Sequence, residues 1–239
     1  MQKGDKRREE ILGVSAELFA RKGYRNTTLQ DILDGVQCSK GSFYHHFDSK
    51  LQVLEAIALR RTKADYAKYR TKPRDSALEA LNDLLAFSCP FRRGEESLVA
   101  ALVGLGIRQE GAAVSANLNQ ARRATFFDDL KALLNTLREE GLAYYYNDAL
   151  PELLWESHMA FCGALMRECC RLIISGGTPG SRVLEMLRAA RFQWERLLDL
   201  PFSSISIVPV DELLFVLKGA SSMVQAEDEQ LRFDSAPPR

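Results

Sequence analysis

The sequence predicts an all-α fold, with a short N-terminal domain of three helices followed by a longer helical C-terminal domain. Apolar residues recur at intervals of three and four along most of the 239 residues, and this interval places them on one face of a helix. Ser, Thr, Asp, Gly or Pro stand at the ends of these periodic segments, where they cap or break helices. No alternating strand pattern competes in residues 1–70. The β-prone residues 203–208 stand alone and are predicted to be an extended connector.

The composition is that of a globular protein that lies outside membranes. Apolar residues make up 46% of the chain and charged residues 27%, which excludes wholesale disorder. The longest apolar run, residues 98–107, is shorter than the roughly 20 residues that cross a bilayer. No secretory signal is visible, and the five cysteines are an odd number without the spacing of a disulfide scaffold. We therefore expect a cytoplasmic protein with reduced cysteines.

Three helices are predicted in the first 50 residues, which are expected to form one domain. The first covers residues 6–22. The second is short and begins after Thr27 or Thr28, because each of these residues can cap it. Ser39 is the expected cap of the third helix, which runs to about Phe47.

The helix predicted over residues 50–69 connects residues 1–50 to a second domain, expected at residues 51–224. The further helices of this domain are predicted at residues 75–87, 98–108, 115–140, 150–175, 179–199 and 212–223. Residues 225–239 are acidic and then Pro-rich, so they are predicted to be a disordered tail.

Charge is unevenly distributed along the chain. Residues 1–72 hold 15 Lys and Arg against 9 Asp and Glu, whereas residues 73–239 hold 17 against 23. A basic N-terminal third on an acidic remainder is typical of a protein with one end that binds a polyanion. The counts fit equally well with a solvated surface of uneven charge, so charge alone does not establish nucleic-acid binding.

The second and third predicted helices form a helix-turn-helix pattern, which binds DNA by laying its second helix in the major groove. Phe43 and Phe47 are four residues apart and face inward, so their neighbours face outward. These outward side chains are Lys40, Ser42, Tyr44 and His45. Lys can donate to guanine acceptors, and hydroxyls can serve either base. Thr27 or Thr28 and Lys50 are candidates to donate hydrogen bonds to DNA phosphates, since they stand at helix N-termini, which favour anions.

Several segments of residues 8–57 share the pattern of one family of regulators. They are Ile11-Leu12, Leu18-Phe19-Ala20, Gly23-Tyr24, Thr27-Thr28, Asp31-Ile32, Ser39-Lys40-Gly41-Ser42-Phe43-Tyr44-His45-His46-Phe47 and Ser49-Lys50. With these segments, about a fifth of the chain resembles the N-terminal domain of the TetR (tetracycline-repressor-like) family of transcriptional regulators. The resemblance implies an all-helical homodimer that binds operator DNA and releases it when a small molecule occupies the C-terminal domain.

The resemblance also implies a role for each exposed residue of the motif. The residues expected over base edges are Lys40, Gly41, Ser42 and His45. Those expected at phosphates are Thr27, Thr28, Tyr44, His46 and Lys50. Ser39, which follows the turn, completes the DNA-binding set. The family often has Gly in this turn, but here Gln37 stands there, followed by Cys38. The turn therefore requires either a positive φ at Gln37 or a different path.

Two late helices are expected to form a dimer interface. Apolar residues surround nearly the whole helix at 150–175, and in the helix at 179–199 they step by three and four. Surplus apolar surface on two helices favours a symmetric four-helix interface, in line with the resemblance. The residues assigned to it are Leu165, Leu172, Val183, Leu187, Ala190, Trp194 and Leu197. Two-fold symmetry predicts a palindromic operator with half-sites about 34 Å, or a multiple of that, apart.

An apolar cavity for an effector is the second expectation for the C-terminal domain. Its candidate lining residues are Phe87, Cys89, Phe126, Phe127, Met159, Cys162 and Met166. The same residues would serve equally well as solid core. If a cavity forms, the few charges expected inside the domain favour a neutral or lipophilic effector. Release follows if that ligand prefers the DNA-incompetent state.

The resulting interpretation is a homodimeric DNA-binding repressor that is not an enzyme and has no cofactor and no metal. His45 and His46 diverge on a helix and have no third ligand placed nearby, which argues against a metal site. His158 has no nucleophile to pair with and is expected at a helix surface or a pocket.

Two alternatives remain open. Cys162 and Cys169 share a helical face and Cys170 adjoins them, so these thiols are candidates for a redox sensor, although buried reduced cysteines are commoner. The second alternative is an enzyme or a small-molecule carrier built on the helical domain. Against it stands the lack of any nucleophile–base or metal-ligand pattern in the sequence.

Overall fold

The computed structural model describes residues 3–107, 111–175, 177 and 180–234. Within these ranges the backbone forms ten helices and no strand, which confirms the predicted all-α fold. The helices are α1 (Lys3–Lys22), α2 (Leu29–Val36), α3 (Lys40–Tyr44), α4 (Lys50–Thr71), α5 (Ala77–Ser88), α6 (Glu96–Ile107), α7 (Gly111–Glu139), α8 (Leu150–Ser175), α9 (Ser181–Leu197) and α10 (Val210–Asp234). None of these described helices has the length and apolar character that crossing a membrane requires.

The first three helices and the start of α4 pack around one small core. Its fully buried side chains include Ile11 of α1, Ile32 of α2, Phe43 of α3 and Leu54 of α4. Phe47, just after α3, joins them. Each of these short helices buries one apolar face in this core, since helices of this length are marginal in isolation.

Side-chain caps determine where these helices begin. The Thr28 hydroxyl accepts a hydrogen bond from the Asp31 backbone N–H, and the Asp31 carboxylate accepts one from the Thr28 backbone N–H. This reciprocal pair is a capping box, and it selects Thr28 over Thr27 as the cap of α2. Ser39 and Ser49 cap α3 and α4 by accepting from the backbone N–H three residues later.

α4 belongs to both domains. Val53 lies in the N-terminal core, whereas Tyr69 near the other end of the helix is buried in the core of the second domain. α6 also reaches the N-terminal core, because Ala101 and Leu105 pack into it. The two domains are therefore in contact along both helices.

The second domain, α5 to α10, forms around a large core. Trp155 and Trp194 are its largest fully buried side chains, together with Phe91 and Phe126. Residues 203–208 form no strand and connect α9 to α10 through this core, which confirms the predicted connector.

The helix bounds agree with the predicted ones to within a few residues at most ends. The third helix is shorter than expected and ends at Tyr44, because the chain turns at His45 and His46 to bury Phe47. The predicted helix ends at residues 108 and 179 lie outside the described residues.

The prediction of a disordered tail over residues 225–239 is wrong for residues 225–234, which continue α10. Glu227 is buried there, and its side chain lies against Gly23 in the turn after α1. This contact with the N-terminal domain keeps an acidic segment ordered that would otherwise favour solvent. Residues 235–239 lie outside the described residues.

Candidate nucleic-acid interface and effector domain

A left-handed residue closes the turn between α2 and α3. Gln37 has φ 53° and ψ 51°, so the positive φ is the correct one of the two expectations for this turn. The Gln37 backbone N–H donates to the Asp34 carbonyl, and the Cys38 N–H donates to the Leu33 carbonyl at 3.0 Å. These bonds satisfy carbonyls at the end of α2 that have no helical partner. They fix the direction in which α3 leaves the turn.

α3 buries one face and presents the other to solvent. Phe43 and Phe47 are buried, as their spacing predicts, and Tyr44 between them is 46% exposed. The other exposed residues of the segment are Ser39, Lys40, Gly41 and His45, while Ser42 and His46 are half-buried. This face combines a cation, hydroxyls and imidazoles, which are groups that form hydrogen bonds with base edges and phosphates.

Two predicted phosphate contacts have another role in the structure. Thr27 is fully buried and its hydroxyl donates to the Gly23 carbonyl at 2.7 Å, so the assignment of this side chain to DNA is wrong. The Lys50 ammonium donates to the carbonyls of Tyr24 and Thr27 at 2.8 Å each, and it lies 4.3 Å from the centre of the Tyr24 ring. Lys50 therefore fastens the α1–α2 turn to α4. Backbone carbonyls accept from any residue type, so no sequence motif reveals this role.

Further supports of the DNA-binding domain were not predicted. Lys22 donates to the Asp31 carboxylate at 2.6 Å, and this bond, together with those from Thr28, lowers the pKa of Asp31 to about 2. Arg7 donates to the Val36 carbonyl at 3.3 Å and pairs with Glu10. The basic residues of α1 thus include two that brace the domain. The capping-box pattern in the sequence indicated that Asp31 helps to cap α2. It did not indicate the bond from Lys22, because Lys22 lies on another helix.

The predicted effector residues pack into the core of the second domain rather than around an open cavity. Five of them are buried and two, Phe87 and Met166, are partly buried against the same core; the five are Cys89, Phe126, Phe127, Met159 and Cys162. The space beside Phe87 and Cys89 measures about 10 Å³, which is room for one water molecule. Larger spaces lie elsewhere: about 470 Å³ between the α1–α2 turn, α6 and α10, and about 270 Å³ beside α9.

The expectation of few charges inside this domain is wrong. Asp65, Glu95 and Arg122 are all buried, and they line the 10 Å³ space. Burial raises the pKa of Glu95 to about 7, although Arg61 beside it acts in the opposite direction. Burial also lowers the pKa of Arg122. In the sequence these residues look like members of solvated helix faces, because periodicity does not show which charges another element covers.

The histidines form no metal site in the described part of the chain, where no three His, Cys, Asp or Glu side chains are grouped as ligands. His158 is fully buried rather than at a helix surface, and its Nε2 lies 2.9 Å from the Ser88 hydroxyl. Burial, and secondarily Arg122, lower its pKa to about 3, so the imidazole is neutral.

The cysteines pair differently from the expectation. Cys162 donates a hydrogen bond to the Cys89 sulfur across 3.7 Å, whereas Cys169 is buried and Cys170 points to the Val103 carbonyl. The hydrogen bond lowers the pKa of Cys89 and raises that of Cys162. Spacing along one helix grouped Cys162 with Cys169, but the thiol in contact with Cys162 is that of Cys89, which follows the end of α5.

Most residues assigned to a dimer interface are buried inside the chain, so that assignment is wrong for Leu165, Leu172, Val183, Leu187, Ala190 and Trp194. The apolar stripes of α8 and α9 pack within the core of one chain. Leu197 of α9 is 42% exposed and Leu153 of α8 is 61% exposed. The Ser157 hydroxyl donates to the Gln193 side chain at 2.9 Å. Leu153 lies one turn before Ser157 and Leu197 one turn after Gln193, so each is on the side of its helix that makes this hydrogen bond.

A short exposed helix behind a tight turn, on a core of three helices, is the architecture of a helix-turn-helix domain. Residues 11–57 match the family model described as bacterial regulatory proteins, tetR family. Residues 11–57 therefore match the DNA-binding domain that the motif indicated.

The similarity to curated proteins is confined to this domain. The HTH-type transcriptional repressor KstR2 of Rhodococcus jostii is 44% identical over 64 residues, which cover 27% of this chain and 31% of that protein. The biofilm operon negative transcriptional regulator IcaR of Staphylococcus aureus is 44% identical over 48 residues, which cover 20% of this chain and 26% of that protein. The chain thus spans about a third or less of the length of these relatives.

Solved structures resemble the chain over both domains. A TetR transcription regulator from Haloarcula marismortui has a TM-score of 0.54 and 22% identity, over 82% of this chain and 97% of that one. Salmonella enterica GusR has a TM-score of 0.51 and 19% identity, over 81% and 96%. At these identities the likeness concerns the fold, including the helical arrangement of the second domain.

Proposed function

We propose that this chain is a dimeric, cytoplasmic transcriptional repressor that binds a palindromic operator and leaves it when a small molecule binds the second domain. The exposed face of α3, held by the Gln37 turn on a small rigid core, carries this proposal. The repressor names of KstR2 and IcaR, which share this domain, support repression rather than activation.

Each exposed residue of α3 has a role in this proposal. Lys40, Ser42 and His45 reach base edges in the major groove, and Gly41 allows close approach of the backbone. Phosphate contacts come from the other members of the predicted set that have accessible polar groups: Thr28, Ser39, Tyr44 and His46. Lys50 acts indirectly, by holding the turn that supports α2.

Gel-shift titration with DNA flanking the chain's own gene tests DNA binding. Replacing Lys40 and Tyr44 together by Ala removes two exposed polar groups from α3 without opening the core. We expect operator affinity to fall by about tenfold to a hundredfold, since a base contact contributes about 1–3 kcal/mol.

The matched control replaces Lys218 and Tyr146, an exposed Lys and an exposed Tyr of the second domain, by Ala. It should leave affinity unchanged. Equal affinity of the α3 variant and the wild type would contradict the assignment. Lys50→Ala is a poor test because it also releases the α1–α2 turn.

A second candidate function, thiol-based sensing, is favoured by the Cys89–Cys162 pair. A hydroperoxide would oxidise the Cys89 thiolate to a sulfenic acid and leave as an alkoxide or hydroxide; the Cys162 thiol would then attack that sulfur, forming a disulfide and releasing water. The 3.7 Å separation must shrink to about 2 Å for the bond to form.

Peroxide treatment followed by non-reducing peptide mapping tests this candidate. If this candidate is correct, the treated wild type yields a disulfide-linked peptide pair that contains Cys89 and Cys162, and it binds the operator more weakly. Cys162→Ser shows neither change. Cys38→Ser, at a half-buried cysteine of the other domain, is the control. Unchanged DNA binding of the oxidised wild type removes the candidate.

A further inference from the structure

A buried cluster of charges lies where α4, α7 and the connection between α5 and α6 meet. Arg61 of α4 pairs with Glu95 of the connection and lies 3.7 Å from Asp65 on its own helix. Arg122 of α7 lines the same space of about 10 Å³. Both carboxylates of the cluster are therefore engaged by Arg61. Arg122 forms no ion pair with either carboxylate, and both act on its charge from a longer distance.

Arg122 is the charge of this cluster that has no partner in direct contact. Only 9% of the residue is exposed. In the part of the chain that the structure describes, no carboxylate lies within ion-pair distance of its guanidinium and it makes no hydrogen bond. Cys162, Cys89, Glu95 and Asp65 favour the charged form of Arg122 without touching it. Arginine keeps its charge at neutral pH, so burying it without a contacting counter-ion is a cost to the folded state. Proteins keep such costs chiefly at functional sites.

We infer that this space, called here the acid cleft, binds the carboxylate of a small organic acid as the effector of the proposed repressor. A carboxylate accepts two parallel hydrogen bonds from a guanidinium, which matches the planar fork of Arg122. Ala58, Phe87 and Leu98 line the cleft as well and provide an apolar wall for a hydrocarbon or aromatic body. A neutral ligand would leave Arg122 without a charged partner in contact. The inference rests on the proposed function, because it names the ligand class of that repressor.

Binding requires the acid cleft to open, since about 10 Å³ does not hold an organic acid. The element suited to open is the connection over residues 89–95, which is not helical and contains Gly94 at φ 88°. It carries Glu95, which would leave Arg61 when the connection opens and lets the acid reach Arg122. The acid therefore prefers a state in which this connection has moved outward.

α4 links the acid cleft to the DNA-binding domain. Arg61 lies eight residues after Val53, which is about 12 Å along the helix. Val53 is fully buried in the N-terminal core that supports α3. A change of partner at Arg61 thus acts on the helix that positions the DNA-binding face, which gives the acid a route to lower operator affinity.

Acids paired with their own amides test the ligand class on the full chain without DNA. The probes are the straight-chain acids from formate to octanoate, and benzoate, each against its amide at equal concentration and ionic strength. We expect members of the acid series to raise Tm and to give calorimetric binding, and the amides to give neither. If no acid stabilises the protein more than its amide does, the inference is overturned.

Substitution of Arg122 tests the residue. Arg122→Gln should lower acid affinity by about tenfold or more. Arg138→Gln, at an exposed position of the same helix, is the control and should keep the response. A response that persists in folded Arg122→Gln contradicts the inference.

Operator binding separates this inference from the proposed function. Arg122→Gln should bind operator DNA as the wild type does and should no longer be released by the acid. A wild type that binds no DNA even without acid refutes the proposed function, whatever the acids do. A wild type that binds DNA but shows no difference between acids and amides refutes only the inference.

Discussion

Glu95 is the residue whose ionisation should be visible in the stability of the whole chain. Burial raises its pKa from 4.5 to about 7, with Asp65 adding to the shift and Arg61, Arg122 and Arg92 opposing it. The folded state therefore holds a proton that the unfolded state has released, and stability falls as the pH rises from about 4.5 through about 7.

Glu95→Gln should remove this fall, because an amide has no proton to lose. The free energy of unfolding, measured with urea across that pH range, should decline less with pH in the variant than in the wild type. Glu185→Gln, at an exposed position of α9, should decline like the wild type. Parallel curves for Glu95→Gln and the wild type would show that the buried carboxyl does not hold its proton.

At the scale of residues, the sequence predicted which side chains face inward or outward better than it predicted which groups they contact. The inward Phe43 and outward Tyr44 follow from helical spacing alone, and the structure has both as predicted. Thr27 and Lys50 did not follow, because their partners are backbone carbonyls. The burial of Arg122 did not follow either, because elements distant in the sequence cover it. Which charges are covered depends on tertiary packing, and one chain's residue types do not record it.

At the scale of elements, the α1–α2 turn depends on two features that only glycine accommodates. Gly23 has φ 81°, a region that side chains with a Cβ rarely adopt, and a Cβ there would meet the side chain of Glu227 from α10. The turn thus holds the end of α1 and the last turns of α10 together.

Gly23→Ala should lower the free energy of unfolding by about 1–2 kcal/mol or more, from the strained φ together with the contact. Gly13→Ala, in the middle of α1 with nothing within 4 Å of the added Cβ, should raise it by about 0.5–1 kcal/mol. Chemical denaturation of both variants measures the two effects. In a protein that already carries Glu227→Ala, Gly23→Ala should lower the free energy of unfolding by less than it does in the wild type. If the two substitutions have strictly additive effects, the Glu227 side chain does not contribute to the cost of Gly23→Ala.

The helices themselves were predictable because caps and apolar periods are local signals. Thr28, Ser39 and Ser49 mark three starts in the sequence and in the structure. The end of α10 was missed because its order comes from a contact with Gly23, which is some two hundred residues away in the sequence. Gln37 was predicted in part. The sequence indicated a turn there but left open whether Gln37 has a positive φ or the chain follows a different path, and the structure has the positive φ.

At the scale of the whole molecule, an apolar stripe did not reveal whether it packs within one chain or between two. Val183, Leu187, Ala190 and Trp194 repeat as a helix seam should, yet the seam closes inside the chain. In the proposed dimer, we assign the interface to the face of α8 and α9 that carries the exposed Leu153 and Leu197. A two-fold interface uses the same patch on both subunits, so each dimer would bury four of these leucines.

Replacing Leu153 and Leu197 together by Glu should therefore dissociate the dimer, because it places four carboxylates at one interface and removes apolar burial of about 1.5–3 kcal/mol per leucine. We expect a dimer dissociation constant raised by about a hundredfold or more, measured by analytical ultracentrifugation. Tyr146→Glu, at an exposed position outside this face, should stay dimeric. Affinity for a palindromic operator should fall in the double variant while affinity for one half-site stays constant, since the α3 surface is untouched. If the double variant remains dimeric, the assignment of the interface to Leu153 and Leu197 is wrong. Another face would then hold the second copy and determine the distance between the two α3 helices.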